Sequence, residues 1–330
     1  MNKALGKVLE IKELNFDIEG KRIINNISLS LERHQIFALL GESGSGKSTL
    51  LKLISGLLEP LSGVLEIDGE SIKPPSKKLI PGNEKVKIVR QDNPLFPNIS
   101  LKENIEYELR FFNDEYKDKR VSKLLKLTGL NAVANQLPRQ SSEGEQQRAS
   151  IARALADEPS LLLLDEPFSN LDYKNKSTLK NKIKDIVKDE KMACVFVTHD
   201  ISDVFDTADK LAILREGQIS QTDKPMSIYK YPQSIYNAAM TGEYNLVSRS
   251  NAKNYLNVST KQKEILIRPE EIKIGQISLL NGKVINQIER GVYNEIILKV
   301  AKLKLKAFSM ERYKLGQMVS FKLGEISFFD

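Results

Sequence analysis

Nine residues constrain this chain more than any other stretch: Gly41-Glu42-Ser43-Gly44-Ser45-Gly46-Lys47-Ser48-Thr49. They fit G-x-x-x-x-G-K-[S/T]. Glycines let the backbone curl so that successive N–H groups point inward at phosphate oxygens. The lysine then neutralises the β- and γ-phosphates, and the hydroxyl after it ligates Mg²⁺. The flanks suit that geometry. Gln35 to Leu40 reads as a short buried strand entering the loop. Ser48 to Leu58 reads as the helix leaving it, with Leu50, Leu51, Leu53, Ile54 and Leu57 on its apolar positions. The start of that helix adds its dipole to anion binding. Gly41, Ser43, Gly44, Ser45, Gly46, Lys47, Ser48 and Thr49 are therefore the expected nucleotide-binding residues.

At 330 residues the chain has room for about two domains. With 41% hydrophobic and 28% charged residues it has the composition of a soluble globular protein. Of the formal net charge of +7, six units lie after residue 242, where 15 basic side chains face 9 acidic ones. That excess fits either an anionic ligand or headgroup, or a solvated lysine-rich face. The single cysteine, Cys194, sits in an apolar run typical of a buried strand, which excludes an internal disulfide framework. Met1 to Glu10 is too short and polar for a secretion signal. No apolar stretch approaches the roughly 18 residues that span a bilayer. A soluble chain, or one held at a membrane by a partner, is expected.

Period-2 alternation over Val8 to Phe16 and Asn26 to Leu31 predicts half-buried antiparallel strands. Further strands are expected at Val64 to Gly69, ending in a turn, and at Lys85 to Gln91. Ser100 to Leu130 changes to helical period, with Ser100 and Glu103 as a capping box. Ser142 to Ala156 and Leu179 to Val187 are also helical. Leu161 to Leu164, Met192 to Thr198 and Lys210 to Leu214 read as strands buried on both faces. Strands alternating with helices indicate an α/β core with a largely parallel sheet, preceded by an antiparallel β subdomain and interrupted by a helical insertion, about 99–159. After Gly242 the texture changes to short strand-like runs at turn spacing, so a small all-β domain is expected over 243–330, after a nucleotide-binding domain over 1–242. Tyr229, Tyr231 and Tyr236 are expected to pack the junction.

Leu161-Leu162-Leu163-Leu164-Asp165-Glu166 is an apolar strand ending in two carboxylates. Placed beside the phosphate loop, it would bring Asp165 near the metal and Glu166 near the γ-phosphate. Phosphoryl transfer needs charge neutralisation and a group that orients or deprotonates water.

Ser141-Ser142-Glu143-Gly144-Glu145-Gln146-Gln147-Arg148 precedes that strand and resembles the Leu-Ser-Gly-Gly-Gln signature of ATP-binding-cassette ATPases. Gln91 matches the family's Q-loop glutamine, Ser169-Asn170-Leu171-Asp172 its D-loop, and Thr198-His199-Asp200 its switch histidine. The elements run in the family's order between Gly41 and His199. The resemblance implies a P-loop NTPase fold, ATP and Mg²⁺ as ligands, and ATP hydrolysis at a site shared by two facing copies. It assigns Lys47 to the phosphates, Ser48, Gln91 and Asp165 to the metal, Glu166 as general base and His199 to the γ-phosphate. Ser142 and Gly144 would contact that phosphate across the interface. The family's adenine-stacking aromatic falls near Ile18, with Phe16 two residues earlier as a substitute. Arg90 stands where an aromatic is common. The signature departs at Ser141, Glu143 and Glu145. A glutamate in place of a glycine is unfavourable near a triphosphate unless it turns away or is paired.

Glu264 to Glu270, with Arg268-Pro269-Glu270, resembles the β domain, oligomer-binding-like (TOBE), of importer ATPases, and Gly242 to Leu246 resembles its junction. That resemblance implies an import subunit, peripheral on the cytoplasmic face of the inner membrane. It implies a second ATPase copy (a homodimer), transmembrane permease subunits docked on 99–159, and a periplasmic or extracellular solute-binding protein acting indirectly. Ferric iron or polyamine is favoured among the family's cargoes. No nucleic-acid partner is expected. A soluble ATP-gated clamp or regulatory protein stays open as the alternative, supported by the altered signature and the basic C-terminal segment.

Overall fold

The computed structural model describes residues 6–90 and 95–330. The chain divides into two compact units, Met1–Met226 and Ser227–Asp330.

In the first unit, β1 (Lys7–Ile18) and β2 (Lys21–Glu32) form the expected antiparallel pair. Next come β3 (Ile36–Leu40) and α1 (Lys47–Ile54). The strands β4 (Ser62–Ile67) and β5 (Glu70–Ser71) complete a small antiparallel sheet in the order β2-β1-β4-β5. After β6 (Val86–Val89), the predicted helical stretch resolves into α2 (Leu101–Glu108) and α3 (Asp114–Thr128). The break is a new N-cap: the Asn113 side chain accepts from Tyr116 N and restarts the helix. The Ser100–Glu103 capping box forms as predicted.

The chain continues through α4 (Glu143–Ala154), β7 (Leu161–Asp165) and α5 (Tyr173–Asp189). It then passes through β8 (Ala193–Thr198), α6 (Ile201–Phe205), β9 (Lys210–Arg215) and β10 (Gln218–Asp223). The main sheet has the order β10-β9-β3-β8-β7-β6. All its pairings are parallel except β9 with β10. Every residue of β3 and β8 is buried, as a sheet covered on both faces requires. Leu50, Leu51, Leu53 and Ile54 of α1 enter one apolar core with residues of both sheets. Because the strands are parallel, the C-terminal ends of β3, β6, β7 and β8 open on one edge, where open α/β sheets hold their ligands.

A helix, α7 (Pro225–Lys230), crosses the division. The second unit continues with α8 (Ile235–Thr241), β11 (Asn245–Ser248), α9 (Arg249–Leu256), β12 (Glu264–Ile267) and β13 (Ile272–Ile274). It ends with β14 (Leu280–Glu289), β15 (Asn294–Val300), β16 (Leu303–Ser309), β17 (Met318–Leu323) and β18 (Ser327–Phe329). Five strands, β13-β17-β14-β15-β16, curl until β13 lies beside β16, a nearly closed barrel. Residues 243–330 are thus not wholly β. α9 supplies Ala252 and Leu256 to the barrel core, a role that its eight residues were too few to announce as a period.

The Arg268-Pro269-Glu270 run explains itself here. Arg268 is buried and donates to the carbonyls of Tyr229, Ala238 and Glu243 and to Thr241 Oγ1. Its guanidinium stacks 4.1 Å from the Tyr229 ring centroid, and the Tyr229 hydroxyl donates to Glu270. Tyr229, expected at a junction, therefore braces the second unit from within. The lysine face of β16 is partly compensated, since Lys306 bridges Glu243 and Glu295.

Candidate active site

The loop between β3 and α1 has the expected backbone. Gly44 and Gly46 take φ of 79° and 105°, the left-handed region that glycine tolerates. Gly41 is needed for another reason: a Cβ there would sit 2.5 Å from the Leu214 carbonyl and 2.6 Å from Ser45 Oγ. Lys47 is 6% exposed, and its ammonium donates to the carbonyls of Gly41 (2.8 Å) and Glu42 (2.9 Å). Burial pulls its pKa below the ordinary lysine value, against the opposing charges of Glu166 and Asp165. Ser45 Oγ is buried and has no hydrogen-bond partner among the described residues, an orphan that an anion in the loop would satisfy. Ser43 and Ser48 are exposed and Thr49 is half-buried.

The carboxylate pair arrives from further off than the sequence suggests. β8 lies between β3 and β7, so the strand ending in Asp165 is not the neighbour of the strand entering the loop. The loop nevertheless reaches it: Ser48 Oγ donates to Asp165 Oδ1 at 3.0 Å. Burial, followed by the neighbouring Glu166 charge, raises the Asp165 pKa, while the Ser48 hydrogen bond and the Lys47 charge act in the opposite direction. Glu166 sits at φ 47°, a left-handed conformation uncommon for a non-glycine residue, and its N–H donates to the Val197 carbonyl on β8. That turn aims the side chain at the end of β8, where His199 Nδ1 lies 3.3 Å from Glu166 Oε2.

A hydroxyl beside a half-buried carboxylate is a suitable donor set for Mg²⁺, which binds through one or two carboxylates plus substrate oxygens and water. Among the described residues no cluster of three or more His, Cys, Asp or Glu side chains offers an all-protein cage. Gln91, expected as a further ligand, lies outside the described residues, two positions beyond β6.

Ser142 and Gly144 stand at the start of α4, and among the described residues no hydrogen bond joins them to the loop of their own chain. Ser142 is the N-cap. Its Oγ accepts from Glu145 N (3.3 Å) and donates to Glu145 Oε2 (2.8 Å), which also accepts from Ser142 N (2.8 Å). Glu145 thus closes a reciprocal capping box, and those bonds hold its carboxyl below the usual range. Glu143 is exposed in the first turn, where a carboxylate also favours the helix dipole. Of the two residues expected near adenine, Phe16 packs half-buried against the core and Ile18 is 46% exposed.

Two supporting residues escape a motif reading. Gly217 N donates to Ser45 O of the loop, and a Cβ on Gly217 would meet the Ile23 carbonyl at 2.3 Å. The Glu216-Gly217 turn signal was visible, but not its destination. Asn175 of α5 covers Gly144, where a Cβ would lie 2.9 Å from Asn175 Oδ1, while Asn175 also donates to Asp172.

Comparison with known proteins agrees with this geometry. Residues 24–169 match the family model described as ABC transporter. The spermidine/putrescine import ATP-binding protein PotA of Legionella pneumophila (strain Philadelphia 1) is 32% identical over 313 residues, covering 86% of this chain and 85% of that protein. The Fe(3+) ions import ATP-binding protein FbpC 2 of Haemophilus influenzae is 34% identical over 311 residues, covering 88% and 87%. Among solved structures, cbiO1 from Clostridium perfringens, part of the ABC transporter complex cbiONQ, superposes with a TM-score of 0.64 at 29% identity, over 68% of this chain and 91% of that one. The dimeric post-hydrolysis state of the ATP-binding cassette MJ0796 with ADP and Pi gives 0.57 at 28% identity, over 66% and 98%. With a phosphate loop, a carboxylate-ended strand and a histidine meeting at one sheet edge, and with such relatives along most of its length, the chain belongs to the ABC transporter family as one of its ATP-binding, ATP-hydrolysing proteins.

Proposed function

We propose that this chain is the ATPase subunit of an import complex. It works as a pair of copies on the cytoplasmic face of the inner membrane, held there by transmembrane permease subunits that receive cargo from a solute-binding protein. The observation that carries the chemistry is the convergence of Lys47, Ser48, Asp165, Glu166 and His199 at the C-terminal edge of the main sheet.

Lys47 and the loop N–H groups hold the phosphates in line, exchanging the lysine's bonds to Gly41 and Glu42 for phosphate oxygens. Ser48 and Asp165, with Gln91, are the residues to hold Mg²⁺, which supplies charge neutralisation on the transferring group. Glu166 accepts the proton of the attacking water, and His199 steadies Glu166 and the γ-phosphate. Ser142 and Gly144 serve the partner copy's nucleotide. Ile18, with its exposed side chain, is the better placed of the two candidates to meet the base, with Phe16 backing it. We take 1–242 as the nucleotide-binding segment and 243–330 as the oligomer-binding-like β domain.

Docking to a permease is supported by an aromatic surface formed by α2 and the turns on either side of it. Phe111 is 86% exposed, and Phe96, Tyr107 and Phe112 are also exposed, with Arg110 stacked over Tyr107 and Phe111. Among the described residues no helix is long and apolar enough to cross a membrane. The names of the two curated relatives support a polyamine or ferric iron as cargo. The test is affinity purification of the tagged chain from detergent-solubilised membranes. A stoichiometric multi-span polypeptide whose presence stimulates ATP hydrolysis is expected. Recovery of a purely soluble dimer with full activity overturns the import reading.

A further inference from the structure

We infer that Lys180 is a positioning residue for His199, acting from α5 through the buried carboxylate of Asp203; the inference rests on the reading that Glu166 and His199 serve hydrolysis. His199 is an exposed side chain on the corner between β8 and α6, so its place depends on the backbone on either side of it. That backbone is tied on both flanks. Thr198 Oγ1 accepts from Asp200 N at 3.0 Å and donates to Asp203 Oδ2 at 3.3 Å. Asp200 in turn caps α6 by accepting from Ser202 N at 2.9 Å.

One ammonium group closes the corner. Lys180 is 8% exposed and Asp203 2% exposed. Lys180 Nζ donates to the Ser202 carbonyl at 2.9 Å and lies 3.2 Å from Asp203 Oδ1, an oxygen with no hydrogen bond among the described residues. Lys176, one turn earlier on α5, stands 3.7 Å from the same oxygen and 3.9 Å from Asp200. The Lys180 ammonium is also 5.7 Å from the ring centroid of Phe168, two residues past Glu166, and Phe168 packs edge-on against Phe196 of β8. Lys180 therefore sits where the strand end bearing Glu166 and the strand end bearing His199 are both braced. Without Lys180, Asp203 keeps only the more distant Lys176 and the Ser202 carbonyl loses its donor, so the buried carboxylate is under-compensated and draws in water. The residues 198–203 would then relax and His199 would leave Glu166.

The same helix reaches the opposite half of the chemistry. Asp172 caps α5, and Asn175 covers Gly144 at the start of α4. α5 thus links, as one rigid element, the residues offered to a second copy and the corner that carries this copy's histidine.

The test compares steady-state ATP hydrolysis by the full chain in five forms: wild type, Lys180→Met, Lys180→Arg, His199→Ala and the double variant His199→Ala/Lys180→Met. Lys180→Met is expected to lower kcat about 10-fold or more, in the range that a misplaced catalytic group costs. KM for ATP should stay within about twofold, and Lys180→Arg should restore most of the rate. The double variant should be no slower than His199→Ala, because the two residues act as one unit. Amide exchange over 198–203 should quicken in Lys180→Met, while that of the phosphate loop holds. A wild-type kcat in Lys180→Met, or its full loss added on top of His199→Ala, overturns the inference. If Lys180→Met does not fold, Lys180→Met/Asp203→Asn removes both buried charges and should show a smaller kcat loss, because the Ser202 carbonyl still lacks its donor; a wild-type rate there also overturns the inference. Wild-type turnover by both His199→Ala and Glu166→Gln would instead sink the underlying reading.

Discussion

His199 Nδ1 stands 3.3 Å from Glu166 Oε2, the two side chains having been brought together by adjacent parallel strands, β7 and β8. Glu166 reaches that position only by adopting a positive φ of 47° and anchoring its N–H to Val197. Strain of this kind persists where the surrounding structure over-determines it, and it clusters at active sites.

Glu166→Gln should therefore keep nucleotide binding and lose hydrolysis. Positioned base catalysis supplies about 10²- to 10⁴-fold, so phosphate release should fall by that factor. Equilibrium ATP binding and steady-state phosphate release, measured on one preparation, check both halves. Wild-type turnover rules out Glu166 as the base.

Lys47→Ala should weaken ATP binding by about 1.5–3 kcal/mol, the range for hydrogen bonds to charged groups. The loop also loses the two bonds to Gly41 and Glu42 that order it before nucleotide arrives. Calorimetric titration with ATP reads the loss, and an unchanged affinity removes Lys47 from the site.

Asp165 has the opposite balance between stability and function. Its pKa is raised, chiefly by burial, so the folded chain takes up a proton there more readily than the unfolded chain does. Its favourable contribution is complete below the ordinary aspartate range and is lost as pH rises through the raised value. Asp165→Asn should thus stabilise the nucleotide-free chain at pH 7 by about 0.5–1 kcal/mol and make little difference at pH 3 to 4, while abolishing hydrolysis. Denaturant titrations at both pH values check the sign.

Arg120 is a stability residue of the helical insertion. It is 4% exposed, donates to the carbonyls of Leu155 and Ala156, and pairs with Glu190 at 2.8 Å. Burial tends to raise the Glu190 pKa, but hydrogen bonds from Arg120 and Lys123 outweigh it and leave the group lowered. Its contribution is therefore present above the unfolded carboxylate value and lost as pH falls through the depressed one. Arg120→Met should cost about 1–3 kcal/mol, because the Leu155 and Ala156 carbonyls lose their donor and Glu190 keeps only Lys123, and Arg120→Met/Glu190→Met should recover part of that. Urea unfolding at pH 7 measures both; a cost below about 1 kcal/mol for the single variant contradicts the pairing argument.

Phe111→Ser/Phe112→Ser should leave folding and the basal ATPase rate of the isolated chain unchanged, because both rings are exposed. Membrane recovery and partner-stimulated hydrolysis should fall together if these rings bury against a permease. Undiminished recovery places the docking surface elsewhere.

Much of this site could be read from the chain because its chemistry is local. Gly44 and Gly46 must turn where they do, and Lys47 and Ser48 follow them at fixed offsets on a helix start. The capping boxes at Ser100 and Ser142 are also local, three-residue relations. The position of β7 could not be read that way. Buried strands of similar composition, such as Leu161–Leu164 and Ala193–Thr198, exchange places in a parallel sheet without any change of pattern, so only packing puts β8 between β3 and β7.

The sequence by itself determined that a triphosphate is bound, and which strand ends bear the acid and the histidine, since both follow from side-chain type and from period along one element. The tertiary structure decided that Ser48 meets Asp165, that Glu166 faces His199, and that a lysine on α5 closes the corner beneath that histidine. Those contacts join residues far apart in the chain, and their distances depend on sheet order, helix packing and burial, none of which leaves a local mark.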